Sequence, residues 1–181
     1  MASMIRSIGA ITLLLLCTIS DIVGAEAMLR RTTLLVQDVE QSKAFYQALG
    51  FREWLDWSED QDPEALTGLP LNSNPSHARV IIMAGEDPYI GMIGLLEYSS
   101  PPLKPSRPKD AGLGLMDIVL VIETDNLEAV KLDLEALGTP ILRAPKGYTS
   151  DGPAGSKRGL DMLVEDPDGY VVEISQVLQR D

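Results

Sequence analysis

One pattern of strand, helix and three further strands occurs twice in this chain, and that duplication limits its possible folds more than any other feature. The first copy opens with RRTTLLVQDVEQSKAFYQALGF, residues 30–51. Leu34 and Val36 share one strand face; Arg31, Thr33 and Leu35 share the other. Asp38 is placed to cap a helix, and Gln41 completes a capping box. Val39, Ser42, Phe45, Ala48 and Leu49 make one helical stripe, which Gly50 closes. The second copy is MDIVLVIETDNLEAVKLDLEALGTPI, residues 116–141. Ile118, Leu120 and Ile122 share a strand face, and Asp125 with Glu128 reads as the second capping box. Leu127, Val130, Leu134 and Leu137 form the stripe, and Gly138 ends it. Asp38 to Asp125 is 87 residues, and Gly50 to Gly138 is 88.

Three strand signals follow each helix: residues 51–57, 78–84 and 90–98 in the first half, then 140–144, 159–165 and 170–176 in the second. The halves are joined by SSPPLKPSRPKDAG, a proline-rich linker without apolar periodicity. Two loops are long enough to be functional lids or disordered segments: Ser58 to Ser76, and the glycine-rich stretch Lys146 to Arg158. The expected division is a leader over residues 1–27, a first module over 28–98, the linker over 99–112 and a second module over 113–181.

The leader has one cation, Arg6, an apolar run of 12 residues from Ile8 to Ile19, and small residues up to Ala25 and Ala27. That is the layout of a secretory signal peptide, and the run is too short to cross a bilayer core of about 30 Å as a helix. The expectation is a protein exported to the periplasm or the medium, with no membrane span in the mature chain. An uncleaved anchor is the alternative. Cleavage would remove Cys17, the only cysteine, so the mature chain could use neither disulfides nor thiolate chemistry. A formal net charge of −12 argues against a nucleic-acid partner, which requires a basic footprint.

Two motifs and the repeat carry a resemblance. LLVQDVEQSKAFYQALGF and EDPDGYVVEISQ resemble the first strand–helix unit and the last hairpin of the vicinal oxygen chelate superfamily, the glyoxalase, bleomycin-resistance and extradiol-dioxygenase proteins. The resemblance covers about residues 30 to 178. It implies an α+β fold in which two βαβββ modules form paired half-barrels around a cleft. It also implies four ligand positions, on the first and last strand of each half, which fall on Arg31, Glu97, Asp117 and Glu173.

Strand alternation points Glu173 away from Val172 and Ile174, into a cleft; a solvent-facing glutamate on a strand polar on one side is the alternative. The DPDG before it reads as hairpin turn chemistry. Arg31 departs from the family pattern, because a guanidinium stays protonated and ligates no metal. It would take the metal's charge-compensating place through forked bonds to Glu97 or Glu173. His77, the only histidine, is expected at a loop or strand end. No cofactor is expected; were a metal held by Glu97, Asp117 and Glu173, the all-oxygen set would suit Mg, Mn or Ca.

The expected function is metal-free binding or sequestration of a small molecule in a cleft lined by Arg31, Thr33, Asp117, Trp54 and Tyr98, with Trp57, Tyr89 and Tyr148 as further aromatic candidates. The alternative is a glyoxalase-like lyase or isomerase, with Glu173 or Glu97 as the base and a divalent metal or Arg31 as the electrophile. Dioxygenase chemistry is disfavoured, since its two-histidine, one-carboxylate set cannot be assembled from one histidine. The resemblance also implies a homodimer.

Overall fold

The computed structural model describes residues 27–60, 68–105, 108, 112–153 and 155–180. The leader expected over 1–27 therefore lies almost wholly outside the described residues. The first repeat is β1 (Arg31–Val36), α1 (Val39–Ala48), β2 (Arg52–Asp60), β3 (His77–Ala84) and β4 (Met92–Ser99). The second is β5 (Val119–Glu123), α2 (Leu127–Ala136), β6 (Ile141–Gly152), β7 (Gly155–Glu165) and β8 (Val171–Arg180). The two sheets are ordered β1-β4-β3-β2 and β5-β8-β7-β6, with β1 parallel to β4 and β5 parallel to β8. This is the expected pair of βαβββ half-barrels.

Local chemistry explains both helix starts. Asp38 accepts from the backbone N–H groups of Glu40 and Gln41, which hold its carboxyl below the usual range. In the second repeat the cap is Asn126, accepting from Ala129 N at 3.1 Å, and not the expected Asp125. Asp38 to Asn126 is 88 residues, the same spacing as the two helix-closing glycines. Both glycines have positive φ, +92° at Gly50 and +71° at Gly138, where a Cβ would be strained.

The helix-side faces of both sheets and both helices share one apolar core. Leu34, Phe45, Ile81 and Leu95 of the first repeat meet Leu127, Leu134, Met162 and Ile174 of the second within it. A separate cluster, Ala78, Val80, Ile82, Met92, Leu96 and Tyr98, lies on the other face of the first sheet, covered by Leu71 and Leu103. Leu103 belongs to the proline-rich linker, which thus packs as well as connects.

The second hairpin corrects an expectation. β6 and β7 pair from Ile141↔Val164 out to Gly152↔Gly155, so most of the glycine-rich stretch is a strand pair and not a lid. The ladder slips between Arg143 and Lys146, at Pro145, which has no N–H to donate.

Candidate functional site

Where the end of β1 approaches the start of β5, a cleft of about 840 Å³ opens. Thr33, Leu35, Tyr98, Asp117 and Ile118 contribute to its walls, and Leu103, Lys104 and Pro105 of the linker reach over it. Asp168, Gly169 and Tyr170 of the β7–β8 turn close another side. Pleating explains the first wall: Thr33 pairs in register with Gly94 and Leu35 with Leu96, so these residues and Tyr98 stand on the face away from α1. Tyr98 is 2% exposed overall.

The β7–β8 turn is more than a hairpin turn. Asp166 is fully buried and accepts from the N–H groups of Asp168 and Tyr170 and from the Tyr46 hydroxyl on α1. Burial pushes its carboxyl up to about 6, against the opposing pull of the Tyr170 N–H. Asp168 accepts from Gln37 N and from the Ser42 hydroxyl, both at 2.7 Å, and the Tyr170 hydroxyl donates to Leu35 O. The second repeat is therefore tied to α1 and β1 of the first beside the cleft. Sequence reading missed Asp168 and Tyr170 as cleft residues. The available signal was the pair of polar residues, Ser42 and Tyr46, on the helical face that had to be buried.

The residues expected at the site separate. Thr33, Tyr98 and Asp117 share this cleft, although Asp117 precedes β5 and accepts from Gly114 N, so it is not the strand ligand the resemblance implied. Arg31 stands on the cleft-side face but at the other end of β1, where it lines a second cavity of about 1170 Å³ with Arg52 and Glu123. Glu97 is a correction. Paired with Val36, it faces α1, and its Oε2 accepts from Val39 N at 2.9 Å. Arg31 and Glu97 thus lie on opposite faces of the sheet, and the expected forked bond between them does not form.

Glu173 pairs with Val121 and Leu163 and faces away from α2, as alternation required. Its neighbours there are Ser175 and the Arg143–Asp161 ion pair, where the guanidinium holds the Asp161 carboxyl below the usual range. Glu173 does not line the 840 Å³ cleft. Trp54 sits at a register slip in β2, 48% exposed, also away from the cleft. Trp57 is half-exposed, Tyr89 lies under Arg30, and Tyr148 packs over Gly159. His77 lies at the start of β3 and bonds to Asp60.

The model of the glyoxalase/bleomycin resistance protein/dioxygenase superfamily matches residues 28–174. The chain belongs to that superfamily. Among solved structures, a glyoxalase family protein from Bacillus cereus is similar at 13% identity and TM-score 0.65, covering 87% of this chain and 99% of its own. A glyoxalase/dioxygenase from Nostoc punctiforme is similar at 20% identity and TM-score 0.57, covering 96% and 100%. An antibiotic binding protein from a Streptomyces species is similar at 20% identity and TM-score 0.48, covering 85% and 98%. No curated protein matches.

Members of the glyoxalase superfamily classically hold a divalent metal, and the residues here do not fit one. Among the described residues no three His, Cys, Asp or Glu side chains converge. Glu97 is committed to a helix N-terminus, Asp117 to a loop amide and Glu173 to a different sheet face. The repeat explains why. Thr33 and Val121 are 88 residues apart and pair with Gly94 and Glu173, so the counterpart of Glu173 in the first half is a glycine. The counterpart of Glu97 is Gln176, which accepts from Leu127 N at the start of α2.

Proposed function

We propose that this protein binds a small molecule, without a metal, in the cleft between the end of β1 and the start of β5. The observation that supports this most is the meeting there of Thr33, Tyr98 and Asp117 with apolar walls from Leu35, Leu103 and Ile118. Concave, largely apolar pockets with a few convergent polar groups are the usual form of a small-molecule site. The acidic side chain and the tyrosines favour a mainly apolar guest carrying hydrogen-bond donors. The two bases named for the lyase alternative, Glu97 and Glu173, do not line this cleft.

The test is ligand-observed NMR with a library of neutral and cationic aromatic compounds, repeated on Leu35→Trp, which fills the cleft from a half-exposed position. Hits should be lost in the variant while its melting temperature stays within a few degrees. Hits that survive the filling, or an empty screen, would reject the assignment.

We also read the chain as exported, on the strength of its leader. Mass spectrometry of protein recovered from the periplasm or medium should give a mature N-terminus just after Ala25 or Ala27. Retention of the full chain in the cytoplasm would reject export.

A further inference from the structure

The chain has two tryptophans, and neither is in the core. Trp54 and Trp57 both lie on β2, 48% and 51% exposed. β2 is an outer strand of the first sheet, and among the described residues no strand pairs with its free edge. Direct pairing shows which side chains share a face: Leu55 lies opposite Ile82, Trp57 opposite Val80 and Glu59 opposite Ala78. Ile82, Val80 and Ala78 all belong to the apolar cluster on the face away from α1. Leu55, Trp57 and Glu59 therefore continue that face out to the open edge, at steps of about 7 Å. The acids of β2 differ in their bonding. Glu53 bonds to Lys43, Asp56 to Arg79 and Asp60 to His77. Glu59 is half-buried and has no hydrogen-bond or ion-pair partner among the described residues.

An unpaired carboxylate beside an uncovered indole suits a cation, which the ring face attracts and the carboxylate binds. A guanidinium meets both, and its stem covers an apolar neighbour such as Leu55. The open edge offers main-chain donors and acceptors to an extended segment. A second copy fits this edge poorly. It would bring Glu53, Asp56, Glu59 and Asp60 of one β2 against the same four acids of the other, between chains that each carry a formal charge of −12. We propose that the β2 edge is a docking surface for an extended basic segment of another protein, which adds as a strand and places an arginine over Trp57 within reach of Glu59. Neither tryptophan lines the cleft, so this surface and the proposed small-molecule site stand or fall separately.

Tryptophan emission reads this edge alone, since both tryptophans stand on it. The probe is a nine-residue peptide of alternating arginine and valine, matched to the length of β2 and added to the purified protein. Emission should shift to the blue and saturate, and affinity should fall as salt rises. Glu59→Gln should weaken binding about fivefold and Trp57→Leu about tenfold, with melting temperatures within a few degrees of the parent. Methylating the peptide nitrogens that would face β2 should abolish binding, because they could no longer donate to the strand. No saturating shift, an equal response to a peptide of alternating glutamate and valine, or binding that survives methylation or Glu59→Gln would overturn the proposal. An emission shift with protein concentration alone would also overturn it, by giving the edge to a second copy.

Discussion

Glu97 and Tyr98 are neighbours in sequence, and strand pleating sends them to opposite environments. Tyr98 reaches the cleft, while Glu97 meets the N-terminus of α1, where unsatisfied N–H groups and the helix dipole favour an anion. Its role is structural, and Gln176 fills the same place at α2 as an uncharged acceptor. Glu97→Ala should therefore lower the unfolding free energy by about 1 kcal/mol, and Glu97→Gln by about half of that or less, measured by urea denaturation. Equal losses in the two variants would contradict a capping role. Alternation alone exposes the parity of Glu97 in this strand, but the resemblance aligned acid with acid, whereas the fold aligns Glu97 with an amide and Glu173 with Gly94.

At the scale of elements, the β6–β7–β8 ladder depends on one missing side chain. A Cβ at Gly159 would stand 2.1 Å from Gln176 O on the next strand and 2.8 Å from Tyr148 Cε1. The first contact is backbone, which a rotamer change cannot relieve. Gly159→Ala is expected to cost about 3 kcal/mol or more, or to prevent folding, whereas Gly147→Ala, with nothing within 4 Å, should change stability by about 0.5 kcal/mol or less. Thermal melting of the pair checks this, and a Gly159→Ala protein as stable as its parent would count against the β7–β8 register. The same ladder absorbed residues read from sequence as a lid, because pairing with β7 offers each backbone group a partner that a local glycine count does not reveal.

For the whole molecule, the two repeats are joined through a helix-side core and through the β7–β8 turn, while among the described residues the edge strands of both sheets have no further strand paired to them. β5 is an edge strand, with Val121 67% exposed, and uncovered apolar edges invite a second strand. On that ground the homodimer implied by the resemblance is retained as a proposal. Sedimentation should give twice the mass of the mature chain, and Val121→Lys should shift it to one copy. A monomer at all concentrations would remove the proposal. The proposed metal independence is tested at this scale too, since the candidate acids are dispersed over two sheets and a loop. Magnesium, manganese, calcium, zinc or chelator should each move the melting temperature by about 1 °C or less, and a shift of several degrees would show that a site assembles.

The repeat, its βαβββ order, the cap at Asp38 and the placing of Glu173 on the sheet face away from α2 follow from local periodicity and capping chemistry, which neighbours along the chain determine. The superfamily was legible for the same reason. Which of the expected site residues meet was decided by tertiary structure. Thr33, Tyr98 and Asp117 converge because the linker brings Asp117 back beside β1, and Arg31 is excluded because it occupies the opposite end of that strand. Asp166 became a buried acid only when its turn was seated on the helix of the other repeat, a contact spanning 120 residues that no local pattern encodes.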